Sequence, residues 1–212
     1  MVIMNKKAIA LGSISSVLLS VSLLATSPAL AHHPNGSEIP SNFLEGFLSG
    51  IGHPVIGIDH FVFVLAIGLL AALNKLGSVI PATFVAATAL GTAIHLQSID
   101  LPVPELIISA SVLVIGIFLA REKQVNLAII TAIVAIAGIF HGYAYGESIV
   151  GAETTALGAY LLGFCSIQLA ISAIAFYVGR SIIKTPTSLW LRFAGFTISG
   201  IGFAFVSNAI LG

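Results

Sequence analysis

Two short strings of histidine, carboxylate and glycine carry most of the chemistry open to this sequence. The first is His53-Pro54-Val55-Ile56-Gly57-Ile58-Asp59-His60, and the second is Phe140-His141-Gly142-Tyr143-Ala144-Tyr145-Gly146-Glu147. Imidazole and carboxylate gathered together suit a borderline divalent cation such as Ni²⁺, Co²⁺ or Zn²⁺. A single cysteine, Cys165, excludes an internal disulfide and any cysteine-cluster zinc or iron–sulfur site. Both methionines, Met1 and Met4, fall in the first four residues, so a Cu(I) pathway lacks its soft donors.

Spacing limits how each string can work. Pro54 suits the first turn of a helix, and Gly52 and Gly57 allow close backbone approach. On a regular helix His53, Gly57 and His60 share one stripe, yet seven residues rise about 10.5 Å, near the limit for two imidazoles on one ion. Either the helix is irregular near Gly57, or the two histidines serve successive sites. An Asp such as Asp59 inside an apolar segment is costly and marks function more often than a helix end. In the second string a helix ending in two glycines would let the chain turn and return His141 and Glu147 toward one point. At least one of Tyr143 and Tyr145 reads as an aromatic-belt residue.

Weaker candidates each have a plain alternative. His95 is a pathway ligand or a helix-end polar group. Glu105 follows Pro104, where first-turn amides favour a carboxylate whether or not an ion passes. Gln168 either binds helices together or lines a pore. His32 and His33 are an entrance chelator or an unstructured tail, and Cys165 reads as an inert packed thiol.

These residues need elements to hold them, and composition names the solvent those elements face. Hydrophobic residues make up 58% of the 212 and charged residues 8%, against roughly 25% charged in soluble domains. With a mean hydropathy of +1.10, a bilayer is expected. Eight Lys and Arg balance eight Asp and Glu, which excludes a nucleic-acid grip built on basic excess. Lys6 and Lys7, the apolar run Ala8 to Ala25, and Ala29-Leu30-Ala31 form a signal peptide over 1–31, with an uncleaved anchor as the alternative. Residues 32–212 then form one transmembrane domain. Spans of about 20 apolar residues fall near 55–73, 79–97, 104–120, 125–143, 155–178 and 189–211. The expected fold is therefore all-α, a polytopic membrane bundle of six transmembrane helices after a signal peptide, with both mature termini outside the cytoplasm.

Charge supports that orientation. Lys75, Arg121, Lys123, Arg180, Lys184 and Arg192 all fall at connections or helix ends on the cytoplasmic side, as the positive-inside rule requires. All six histidines fall at or beyond the outer half. Asp59, Glu105 and Glu147 lie at similar depth, and an acidic outer face would attract cations.

The two strings resemble the signature motifs of the HupE/UreJ family of nickel/cobalt permeases, HPxxGxDH and FHGxAxGxE. The first is matched at His53, Pro54, Gly57, Asp59 and His60, the second at Phe140, His141, Gly142, Ala144, Gly146 and Glu147. The stretch holding Leu101, Pro102, Glu105, Ser111 and Gly116 is also similar. Relatives often carry histidines where this chain has Tyr143 and Tyr145, and near the position of Gln168, whereas His95 is not expected there. The resemblance implies a permease of the bacterial plasma membrane with His53, Asp59, His60, His141 and Glu147 on the metal. His95, Glu105, Gln168, His32 and His33 would be additional pathway residues. The ion would be Ni²⁺ or Co²⁺, with Zn²⁺ as a further option, carried as cargo with no resident cofactor. Expected partners are the ion and the bilayer, with a metallochaperone or a second copy left open.

Two other classes compete. A b-type haem protein would use His60, His95 and His141 at one depth, against which the interleaved carboxylates make a poor haem wall. An intramembrane hydrolase needs an activated nucleophile or metal-bound water, yet neither H-E-x-x-H nor G-x-S-x-G is present. The absence of G-x-x-x-x-G-K-[ST] means that no P-loop ATPase drives the process within this chain.

Overall fold

The computed structural model describes residues 39–121, 125–183 and 189–212. The expected signal peptide, His32 and His33 fall outside the described residues, as do Lys123 and Lys184. Among the described residues there are seven helices and no strand: α1 (Phe43–Ile56), α2 (Ile58–Ala72), α3 (Val79–Leu96), α4 (Pro104–Ala120), α5 (Leu127–Glu147), α6 (Thr154–Ile183) and α7 (Leu189–Leu211). Helices α3, α5, α6 and α7 are long and apolar enough to cross a bilayer. The pair α1 and α2 counts as a fifth span if its 79° bend is one broken helix. At 17 residues, α4 extends roughly 25 Å. The chain is built as an integral membrane protein.

The six expected segments correspond to α2 through α7. The first needs correction, because the chain is already helical from Phe43 rather than from residue 55. Gly46, Ser49, Gly50 and Gly52 weaken the intrinsic helical signal there, but tertiary contact restores it. Added side-chain carbons at Gly46 and Gly50 would overlap the carbonyls of Ala156 and Tyr160, and one at Gly163 would overlap the Phe47 carbonyl. These absent side chains let α1 lie directly on α6, the packing that apolar surroundings reward. At the start of α1, Asn42 Oδ1 accepts from the Glu45 amide at 3.0 Å, and Glu45 Oε2 accepts from the Ser41 amide at 2.8 Å. This is a variant of the capping box, with Glu45 reaching the amide one residue before the cap.

The register against α6 sets the level of the break between α1 and α2. Gly50 meets Tyr160 and Phe164, Gly68 meets Ser172 and Ala175, and Gly179 meets Ala72. Gly57 therefore lies level with the middle of α6, not at its end. Gly57 is extended (φ −69°, ψ 101°), and its amide still donates to the His53 carbonyl at 3.1 Å.

Helix α2 is the enclosed element, with ten of its fifteen residues buried. Phe63, Ile67 and Leu70 pack with Phe84 of α3, Val112 and Ile115 of α4, and Val134 of α5. By contrast α7 buries only Leu191, Gly195, Ile198 and Gly202, a stripe at helical spacing laid on α4. Its Trp190, Phe193, Phe196 and Phe203 point outward, as an apolar solvent permits.

Candidate metal centre

The broken helix brings His53 and His60 together. Their ring centroids are 5.5 Å apart, where a continuous helix would hold them about 10.5 Å apart along its axis. Of the two geometries open to the first motif, the irregular helix is the one realised. Gly57 is required for packing rather than for its backbone angle: a Cβ there would sit 2.6 Å from His60 Cδ2. Both rings are buried, with 4% and 3% of their surface exposed. Asp59, half-buried, accepts the His60 backbone amide on Oδ1 at 2.9 Å.

Helix α5 supplies the other wall. His141 is fully buried between Phe63 and Phe84, at 4.5 and 5.5 Å. Its Nδ1 lies 2.7 Å from His60 Nδ1, and its Nε2 lies 3.0 Å from Ser111 Oγ on α4. One turn onward Tyr145 packs edge-on to both His53 (4.9 Å) and His60 (4.7 Å) and has no exposed surface. His53 Nδ1 meets Ser148 Oγ at 2.8 Å and Tyr160 Oη at 3.2 Å, and the Tyr160 hydroxyl donates to the Tyr145 carbonyl at 2.8 Å. The cluster thus draws on α1, α2, α4, α5 and α6.

The remaining expected residues are dispersed. Helix α5 continues through Gly142 and Gly146 to Glu147, so the chain does not turn back, and Glu147 is exposed while His141 is buried. The two glycines serve packing: side chains there would overlap Thr88 and His95 on α3. His95 instead packs edge-on to Tyr143 at 4.4 Å, and the Tyr143 hydroxyl reaches Asp100 Oδ1 at 3.5 Å. Glu105 is exposed in the first turn of α4. Among the described residues no three His, Cys, Asp or Glu side chains are arranged to hold one metal ion together.

Gln168, 0% exposed, lies within 3.1 Å of Thr88 Oγ1. Among the described residues Tyr145 Oη and Gln168 Nε2 find no hydrogen-bond partner, while Thr88 gives its proton to the Val85 carbonyl at 2.9 Å. Spacing does not single out Tyr145, Ser148, Tyr160 or Ser111 as site residues; only Tyr145 inside the second motif and Ser148 directly after it offer any signal.

The family model for HupE / UreJ protein matches residues 19–205. The chain belongs to the HupE/UreJ family. It is also 26% identical over 192 residues to Protein HupE of Rhizobium leguminosarum bv. viciae, covering 90% of this chain and 96% of that protein. No solved structure matches it. The HupE/UreJ motifs read from the sequence are the segments that the fold brings together at the helix break.

Proposed function

We propose that the protein is a secondary permease, not an enzyme, that carries a divalent transition-metal cation, Ni²⁺ or Co²⁺, across the plasma membrane. The observation that carries this reading is the His53–His60 pair, 5.5 Å apart at a helix break inside an apolar bundle. Broken helices in transporters supply ion sites where a continuous helix would leave none. His53 and His60 are the imidazole donors, with Asp59 supplying charge beside them. His141 belongs to the same cluster. Glu147, with exposed Asp100, Glu105 and Glu153, forms an acidic entry that concentrates cations.

Six spans follow a signal peptide in this reading, with α1 and α2 together forming the first and both termini outside the cytoplasm. The site then sits deeper than the outer mouth expected from a span starting at residue 55. From the histidine pair the ion meets Gln168, Thr88 and Ser172, oxygen-bearing groups that bind a borderline ion weakly and release it readily. Membrane potential or exchange drives the step.

Competitive uptake of Ni²⁺, Co²⁺ and Zn²⁺ into vesicles containing only this protein is the test. Saturable uptake with Ni²⁺ or Co²⁺ preferred is expected. Vesicles no more permeable than protein-free controls would reject the permease.

A further inference from the structure

His141 has both ring nitrogens engaged, and the direction of each hydrogen bond can be worked out. The Ser111 hydroxyl has one proton, and its oxygen is 2.6 Å from the Ile108 carbonyl. Two acceptors cannot approach so closely, so the proton lies between them. Ser111 Oγ can therefore only accept from His141, and the contact at 3.0 Å requires a proton on His141 Nε2. A fully buried ring between two phenylalanines is disfavoured as a cation, which leaves Nδ1 of His141 as a lone pair. The 2.7 Å contact between the two Nδ1 atoms then needs its proton from His60. Neutral His60 is thereby the Nδ1–H tautomer, with its lone pair on Nε2.

His53 is held by the same logic. Tyr160 gives its only proton to the Tyr145 carbonyl, so its oxygen accepts from His53 Nδ1, as does Ser148 Oγ. In neutral His53 the lone pair is likewise on Nε2.

We infer that Ser111 and His141 form a relay that fixes the tautomer of His60, and that His141 is a positioning residue for the metal rather than one of its ligands. The inference rests on the reading of His60 as a metal donor. A protonated nitrogen cannot ligate, and a partner that holds the far nitrogen of a metal-binding histidine typically changes affinity 10- to 100-fold. Removing the Ser111 oxygen frees His141 to place its proton on Nδ1. His141 would then donate from Nδ1 to the lone pair of His60 Nδ1, and His60 would carry its own proton on Nε2, the nitrogen assigned to the ion.

The test is imidazole nitrogen–proton correlation NMR on ¹⁵N-histidine-labelled protein without metal, with resonances assigned by His60→Gln and His141→Gln. The expected wild-type spectrum has His60 protonated on Nδ1 and His141 on Nε2. Ser111→Ala should reverse both assignments and weaken Ni²⁺ binding, read by calorimetry with the ion alone, about 10- to 100-fold. Ser111→Thr keeps the oxygen and should restore both the tautomers and the affinity. A wild-type His60 protonated on Nε2 would overturn the relay, as would Ser111→Ala with tautomers and affinity unchanged. If the wild-type protein bound no Ni²⁺, the permease reading would fail while the spectra still judged the relay.

Discussion

Tyr145 sits between two imidazoles, where a third nitrogen would be within reach of the same ion. Its phenol keeps its proton at neutral pH and is a poor ligand in that form. Tyr145→His should therefore tighten Ni²⁺ binding by tenfold or more and slow turnover, which isotherms and uptake rates on the same preparation would show. An unchanged isotherm would take Tyr145 out of the ion's surroundings. Asp59 tests charge at the same scale. Asp59→Asn keeps shape and the hydrogen bond to the His60 amide but removes the carboxylate. At a few ångströms two unit charges interact by about 4 kcal/mol at an effective dielectric near 20, and a divalent ion feels more. Uptake should fall at least tenfold while the variant still inserts and keeps its thermal midpoint. Full uptake would reduce Asp59 to a helix-end group.

Glycine decides the behaviour of the elements. Gly57→Ala leaves ordinary backbone angles untouched but drives a methyl group into the His60 ring. The expected result is lost metal binding with a melting temperature close to wild type. Gly50→Val acts differently, because the group it meets is the Tyr160 backbone, which cannot swing aside. Overpacking of this kind costs about 1–3 kcal/mol, and a lowered melting temperature would record the loosening of α1 from α6. These elements also show what could be read without coordinates. Helices α2 to α7 announce themselves by apolar length, and His53, Asp59 and His60 by a costly charge among apolar neighbours. The break at Gly57 was one of two geometries that the seven-residue spacing allowed. Helix α1 escaped notice because its glycines lower local propensity, and their reward appears only against α6. The two glycines after His141 were misread for the related reason that glycine signals a turn or a tight contact, and spacing alone does not choose. Ser111 and Tyr160 belong to segments remote in sequence, joined to the histidines only by folding.

At the scale of the whole molecule, charge marks the two ends of the bundle. Arg180 donates to the Asn74 carbonyl at 3.1 Å and lies 5.2 Å from the Phe176 ring, and Arg192 donates to the Ala120 carbonyl at 3.2 Å. Both seal backbone at the end where α2, α4 and α6 terminate. Exposed Asp100, Glu105, Glu147 and Glu153 lie where α3 and α5 end and where α4 and α6 begin. Single-cysteine labelling in a Cys165→Ala background should find Lys123→Cys reachable only from the cytoplasm and Glu153→Cys only from outside. Outside labelling at position 123 would invert the molecule and remove the acidic entry from the side where the ion arrives.

The bend at Gly57 also has an electrical consequence. An unbroken helix through α1 and α2 would keep its opposite partial charges, about half an electron each, at its two ends, roughly 43 Å apart. Breaking it brings the carbonyl end of α1 and the amide end of α2 to within a residue of each other, deep in the bundle. Asp59, in the first turn of α2, offsets the positive end, while the His53 imidazole is the one basic side chain in the last turn of α1. Part of the attraction for a cation is thus built from backbone, provided that Asp59 offsets the neighbouring positive end. Variants lacking His53 or His60 would still draw divalent ions to the break without the nitrogens to hold them.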